Sequence, residues 1–353
     1  MQLEDYSKLL LEDMLKDMES QEEIYKPTMF WEPASRAIVL ELKRYGFTDF
    51  RSLPTSLEFF VPTYGVPGNM MTSEEIHLLD EMVLKFAKKG SKKHASFIRM
   101  VNGEMWAYSD YRVCLAGDKA DIAPRLTSLS ESKVGNPLEH FCFDERWFSR
   151  SFLNYLQGLV FLKSHVNTSE ICSVLEVGGG FGTLGEILFQ SGKYSYVDVD
   201  IPPTAAVATY YLKSVTESNC IGYDETKQMM HISIPSRGTG MVICPWQLPR
   251  IEGTIDLFVN FISFQEMEPA VVRSYLDHVD RLKSRFVLLR NMREGKPRRS
   301  NRERYGVMDP VRGDDYDAFL RNYRLRATNV VPFGHRTVDG FHSELRLYER
   351  TRL

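Results

Sequence analysis

Ser173-Val-Leu-Glu-Val-Gly-Gly-Gly-Phe-Gly-Thr-Leu-Gly-Glu-Ile-Leu-Phe189 is the stretch that decides how this chain folds. Val174, Leu175 and Val177 make a nearly continuous apolar run, the pattern of a parallel strand covered on both faces. Gly178, Gly179, Gly180 and Gly182 follow, and they let the backbone turn tightly and approach a ligand with no Cβ between. A helix begins at once, so its free N–H groups and positive dipole end face whatever lies over the turn. The stretch predicts a ligand cradle at a strand–turn–helix junction.

Two glycine patterns overlap in the cradle. Gly180-Phe-Gly182-Thr-Leu-Gly185 fits the dinucleotide pattern G-x-G-x-x-G, whereas Gly178-x-Gly180-x-Gly182 fits the tighter G-x-G-x-G. Glu176 separates the two, because a carboxylate at the strand end repels a pyrophosphate and is costly to bury unless a cation meets it. The turn holds no Lys or Arg to neutralise phosphate. An acidic cradle suits a ligand with an ammonium and a sulfonium, and S-adenosylmethionine carries both. A capping or solvated acid near a helix start is the plainer account of Glu176.

Outward from the cradle, Tyr194 to Asp200 reads as a second strand ending in two acids. A carboxylate about twenty residues past the glycine turn is placed to accept ribose hydroxyls. Asp200 is the first choice and Asp198 the second; a helix N-cap, with Pro202 near the first turn, is the alternative role for Asp200. Met241 to Cys244 gives a third strand, with Trp246 placed to flank an adenine and Gln247 to bond its edge. Ile255 to Ile262 is the fourth, followed by Ser263-Phe-Gln-Glu266-Met267 and a helix from Pro269; Phe286 to Leu289 is the fifth. Strands alternating with helices predict an α/β fold, a Rossmann-like parallel sheet with ligands over its carboxyl ends. Leu325 to Val331 and Leu345 to Tyr348 read as a terminal antiparallel hairpin, where nicotinamide-binding domains normally end on parallel strands.

Glu176-Val-Gly-Gly-Gly-Phe-Gly-Thr-Leu, Tyr196-Val-Asp-Val-Asp-Ile-Pro-Pro203 and Asn260-Phe-Ile-Ser-Phe-Gln-Glu-Met267 together resemble the sugar O-methyltransferase family. That family belongs to the class I S-adenosylmethionine-dependent methyltransferases, and the resemblance covers mainly residues 140 to 350. It implies a class I methyltransferase sheet with S-adenosylmethionine as cofactor and a sugar or glycosylated metabolite as acceptor. It also favours Asp200, which aligns with the family's Asp-Ile-Pro-Pro, as the ribose partner.

With 353 residues, 43% apolar and 26% charged, the chain is long enough for one large domain and a smaller one. The division expected is residues 1–145, a mostly helical substrate or oligomerisation region that offers a homodimer contact, and residues 146–353, the cofactor-binding domain. A net charge of -3 gives no reason to expect nucleic acid or an anionic membrane as partner. Five widely spaced cysteines without C-x-x-C indicate neither a disulfide framework nor a zinc site. No signal peptide or membrane-spanning run is apparent, so a reducing, cytoplasmic setting is expected.

In the N-terminal region Leu3, Leu10, Leu11, Met14, Leu15 and Met18 follow helical spacing, and Thr72-Ser-Glu-Glu75 opens another helix with a capping box. Among its many aromatics, Trp31 and Trp147 are candidates to stack on a sugar ring, although most such rings belong to the core.

Methyl transfer is an in-line displacement that needs alignment, and a base where the acceptor is a weakly acidic hydroxyl. Glu266, His335 and His342 lie near strand ends and are the candidate bases; a surface acid and structural histidines are their plainer roles. Asp309, Asp314, Asp315 and Asp317 have no spacing specific to a metal, so no metal is expected. Arg298, Arg299 and Arg302 belong to a basic run after the fifth strand, ordinarily a solvated loop, here a candidate lid over an anionic acceptor. Two other functions stay open: N- or O-methylation of a non-sugar metabolite, and a nicotinamide-dependent oxidoreductase using Gly180, Gly182 and Gly185.

Overall fold

The computed structural model describes residues 2–192, 194–216, 219–300, 306–329, 335–336 and 342–351. Its centre is one sheet built from β1 (Ser173–Val177), β2 (Ser195–Val199), β3 (Cys220–Ile221), β4 (Gly240–Ile243) and β5 (Leu257–Phe261). The sheet continues through β6 (Phe286–Met292), β7 (Tyr323–Asn329), β8 (His335–Arg336) and β9 (His342–Arg350). The order across it is β7-β9-β6-β5-β1-β2-β4-β3, with β8 paired to β9. From β6 to β3 every pairing is parallel, and β9 lies antiparallel between β6 and β7. This is the expected Rossmann-like α/β sheet with its terminal antiparallel hairpin.

The chain order reverses at β1, because β2 to β4 extend to one side and β5 and β6 to the other. Such a switch point opens a crevice at the carboxyl ends of the strands, and the glycine turn leaves β1 there.

Side chains alternate between two apolar layers, as a strand period of two requires. Val174 joins the cluster that holds the helix Arg150–His165 and the N-terminal helices, while Leu175 and Val177 join the cluster that holds the helix Pro269–Arg281. Every position from Val174 to Val177 is buried, which explains the apolar run and makes Glu176 the exception in need of partners.

The helix Leu3–Glu19 buries Leu10, Leu11 and Met14 and packs on the helix Thr204–Val215. Thr72 caps the helix Ser73–Leu84 reciprocally with Glu75, as its sequence predicts. The line drawn between residues 145 and 146 falls in the turn joining the paired strands Phe141–Phe143 and Arg146–Phe148. One apolar cluster runs across that line, containing Leu10, Phe50, Phe148, Leu184 and Leu345.

The helix that leads into β1 starts at Arg150, because Arg146–Phe148 pairs as a strand and Ser149 then caps the helix by accepting the Phe152 N–H. The edge strand β3, only two residues long, had no periodicity to announce it. Among the described residues no helix is long and apolar enough to cross a membrane.

Candidate active site

The turn after β1 is left-handed at Gly178, Gly180 and Gly182, with φ of 74°, 64° and 92°. Space dictates glycine as strictly as torsion does at Gly178, where a Cβ would stand 2.2 Å from Ser263 Oγ. At Gly180 a Cβ would meet nothing nearer than the Phe60 carbonyl oxygen at 3.9 Å, so this part of the backbone faces open space. That space is a cavity bounded by the turn, by Asp200 after β2, by Phe261 to Ser263 after β5, and by Trp31, Phe59 and Phe60 from the N-terminal region.

Asn260, wholly buried at the end of β5, holds the cavity floor together. Its Nδ2 donates to Val177 O at 2.9 Å and Ser263 Oγ at 2.6 Å, while its Oδ1 accepts from Phe264 N at 3.2 Å and Asn291 Nδ2 at 3.1 Å. Ile262 follows with φ of 74°, a conformation costly for a β-branched residue, and lies against the cavity.

Asp200 lines the cavity and is tied to the turn itself. Its Oδ2 accepts the Gly180 N–H at 3.0 Å, and its Oδ1 accepts from Ile201 N at 2.7 Å and Thr204 Oγ1 at 2.8 Å. Burial pushes its pKa up to about 6, opposed by those three hydrogen bonds and assisted by the negative charge of Glu266. Asp198 lies in the same layer but behind the turn: its Oδ1 accepts the Gly179 N–H at 3.3 Å, its Oδ2 has no partner among the described residues, and it does not line the cavity. Burial, then the charges of Glu176 and Asp200, hold the Asp198 carboxyl well above the ordinary carboxylate range.

Glu176 lies beneath the turn, also off the cavity wall. Its two oxygens accept the hydroxyls of Tyr155 at 2.6 Å and Tyr196 at 2.5 Å, and burial pushes its pKa up to about 7 against the pull of those hydrogen bonds. The structure therefore gives Glu176 tyrosine partners, and Gly178, Gly179, Gly180 and Asp200 the contact with the cavity.

Glu266 faces the cavity from the turn Ser263–Glu266. Its Oε2 accepts the Trp31 indole N–H at 3.0 Å, its Oε1 accepts Lys296 Nζ at 2.8 Å, and its carbonyl accepts Thr28 Oγ1 at 2.9 Å. Lys296 also stands 3.8 Å from the centroid of the Phe30 ring, so the N-terminal region and the sheet meet at this one carboxylate.

Other expected residues stand elsewhere. Trp246 is buried with its Nε1 donating to Tyr223 OH at 3.2 Å, and Gln247 spends its Oε1 on Cys244 N at 2.9 Å and its Nε2 on Thr226 Oγ1 at 2.9 Å. The turn Pro245–Arg250 directs both inward, and neither lines the cavity. Trp147 lies in the hairpin, with the His140 ring 5.1 Å away and Lys133 Nζ 4.2 Å from its own ring centroid. His342 is held by Glu294, which also accepts the His342 backbone N–H at 2.8 Å. The His335 side chain, and all of residues 301–305 including Arg302, lie outside the described residues. Arg298 and Arg299 are exposed and off the cavity, Arg298 pairing with Asp309 at 3.0 Å. Asp314 and Asp317 pair with Arg346, and among the described residues no group of three or more His, Cys, Asp or Glu is placed to share a metal ion.

No protein-family model and no curated protein matches the chain. Solved structures similar to parts of it include the mitomycin 7-O-methyltransferase MmcR, at 12% identity and a TM-score of 0.37, over 57% of this chain and 54% of that one. Another is the magnesium protoporphyrin IX methyltransferase ChlM of Synechocystis PCC 6803 with bound SAM, at 14% identity and a TM-score of 0.37, over 57% and 81%. A third is the pyocyanin biosynthetic protein PhzM, at 13% identity and a TM-score of 0.34, over 51% and 50%. The chain thus spans about half the length of the first and third.

Proposed function

We propose that this chain is an S-adenosylmethionine-dependent O-methyltransferase that methylates a hydroxyl of a sugar or glycosylated metabolite. The observation that carries the reading is the cavity at the switch point of the sheet, lined by the open side of Gly180, by Asp200 and by Glu266. The antiparallel β9, inserted between β6 and β7, supports methyl transfer over hydride transfer to a nicotinamide.

The residues fit the cofactor. Gly178 to Gly180 give a nucleoside close access to backbone, and Asp200 accepts a ribose hydroxyl. A carboxylate has about four lone-pair sites and three are filled, so one hydroxyl is accommodated as the side chain stands. S-adenosylmethionine supplies an activated methyl group when bound. Glu266 then takes the proton of the acceptor hydroxyl, held in place by Trp31 and Lys296, and the wall of Trp31 and Phe59 offers aromatic faces to the C–H face of a sugar ring.

Calorimetric titration with S-adenosylhomocysteine and with NAD tests the cofactor. Binding of NAD in preference to S-adenosylhomocysteine overturns the reading. A screen of nucleotide sugars and lipid-linked saccharides with labelled methyl donor tests the acceptor, and transfer only to non-sugar hydroxyls or amines overturns the sugar assignment.

A further inference from the structure

Arg290 carries no motif in the sequence, yet it is 2% exposed in the middle of a sheet. It is level with Phe261 on β5, and both side chains stand on the layer covered by the helix Arg150–His165. Among the described residues its guanidinium reaches only neutral acceptors: Nε donates to Ser343 Oγ at 3.1 Å, Nη1 to Asn154 O at 2.9 Å, and Nη2 to Gln157 Oε1 at 3.4 Å. Among the described residues no carboxylate lies within ion-pair distance of it. The charged and titratable groups it senses are Asp110, Tyr64, Arg150 and Cys114; Asp110 is engaged by the Tyr64 hydroxyl, and Arg150 acts against it.

A buried cation without a counterion is costly, and proteins retain one where something else supplies the negative charge. Of the five N–H donors of a guanidinium, three are used, which leaves one each on Nη1 and Nη2. Arg290 lines the same cavity as Asp200, and so does Asn154, whose side-chain amide makes no hydrogen bond among the described residues. Between Asp200 and Arg290 lie three strand spacings, about 14 Å. The cavity therefore has Asp200 at one end, Glu266 on its wall with Lys296, and at the other end a guanidinium with no ion pair among the described residues.

We propose that Arg290, with Asn154 beside it, is the anion-recognising end of the cavity and takes a carboxylate. This rests on the methyltransferase reading, which offers two sources for that group: the amino-acid carboxylate of the cofactor, or an acidic group on the acceptor.

Three probes are titrated against the wild type, Arg290→Met and Arg290→Lys. They are S-adenosylhomocysteine, 5′-methylthioadenosine, which lacks the amino-acid part, and succinate added to the protein saturated with S-adenosylhomocysteine. If the cofactor supplies the carboxylate, Arg290→Met weakens S-adenosylhomocysteine about 10- to 100-fold while 5′-methylthioadenosine binds unchanged, and Arg290→Lys recovers part of the loss. If the acceptor supplies it, the two nucleosides keep their relative affinity and succinate binding is lost in Arg290→Met. Either result supports the proposal. An arginine that only ties the helix to the sheet lowers the melting temperature and leaves all three affinities unmoved, which overturns it; should Arg290→Met not fold, Arg290→Lys with wild-type affinity for all three does the same. A wild type that binds neither nucleoside overturns the methyltransferase reading and this proposal with it.

Discussion

Trp31 donates its indole N–H to Glu266 Oε2 at 3.0 Å, joining residues 235 positions apart over the same cavity. One belongs to a helix of the N-terminal region and the other to the turn after β5, so this hydrogen bond ties the wall to the carboxylate that Lys296 also holds. If Glu266 is the base, Glu266→Gln lowers turnover by about 10²- to 10⁴-fold with the acceptor found by screening, while S-adenosylhomocysteine affinity stays at the wild-type value. Trp31→Phe keeps an aromatic face, smaller than the indole, and removes the hydrogen bond, so turnover falls less and the acceptor KM rises. Steady-state kinetics of both variants decide it; a Glu266→Gln enzyme with wild-type kcat leaves Glu266 as a structural partner of Lys296.

Gly178 and Gly180 share a left-handed backbone but differ in their surroundings. Alanine at either position meets a torsional cost of about 1 to 2 kcal/mol. At Gly178 the added Cβ also collides with Ser263 Oγ, which is bonded to Val177 O and Asn260, so the floor of the cavity must shift. Gly178→Ala is therefore expected to lose more stability than Gly180→Ala, and Gly180→Ala to lose affinity for S-adenosylhomocysteine out of proportion to its small loss of stability. Paired thermal melts and titrations test the order, and a Gly180→Ala protein with unchanged affinity removes the turn from the cofactor site.

The glycine turn, the strand alternation and the terminal hairpin were legible because each depends on local pattern: an apolar run, residues that permit positive φ, a period of two. Placement of side chains at strand ends was less so. Trp246 and Gln247 follow β4 as expected, but Gln247 caps its own turn through Cys244 N, and that local bond turns both residues inward. Glu176 was read correctly as an acid at the end of β1, yet its partners Tyr155 and Tyr196 come from a preceding helix and a neighbouring strand, a meeting that only register determines. Arg290 did leave a signal, a lone charge within Phe286–Met292, since a buried polar residue in an apolar strand is the informative exception.

Asp200 ties cofactor affinity to pH if it accepts a ribose hydroxyl. Its folded pKa is raised to about 6, so its carboxylate is protonated as pH falls through that value, and a protonated carboxyl has fewer lone pairs for the Gly180 N–H and a ribose hydroxyl together. S-adenosylhomocysteine affinity is expected to be constant above about pH 7 and to fall below pH 6. Asp200→Asn binds more weakly at pH 8 and loses the pH dependence around 6. Asp198→Asn, which lies off the cavity wall, binds more like the wild type, and the reverse ranking in a titration series moves the ribose to Asp198.

Glu176 and Asp198 are register partners on β1 and β2, both wholly buried, and among the described residues no Lys or Arg pairs with either. Burial raises Glu176 from 4.5 to about 7 and holds Asp198 well above its ordinary value. Between those limits the folded chain keeps a proton that the unfolded chain has released, so the folded state binds more protons and stability falls as pH rises. The contribution is fully present below the unfolded value of 4.5 and is lost as pH rises through about 7, at about 1.4 kcal/mol per pH unit for each such proton. Glu176→Gln removes one titrating group and keeps polar contact with both tyrosine hydroxyls, since its amide oxygen accepts from one and its N–H₂ donates to the other. Denaturant midpoints measured from pH 5 to pH 8 are expected to decline less steeply for Glu176→Gln than for the wild type. The remaining decline comes from Asp198, from Asp200, which burial raises to about 6, and from Glu139 and Glu186, which burial raises to about 7. A Glu176→Gln profile parallel to that of the wild type means that Glu176 is ionised in the folded chain throughout this range, and that the two tyrosine hydroxyls suffice to hold a buried charge beneath the glycine turn.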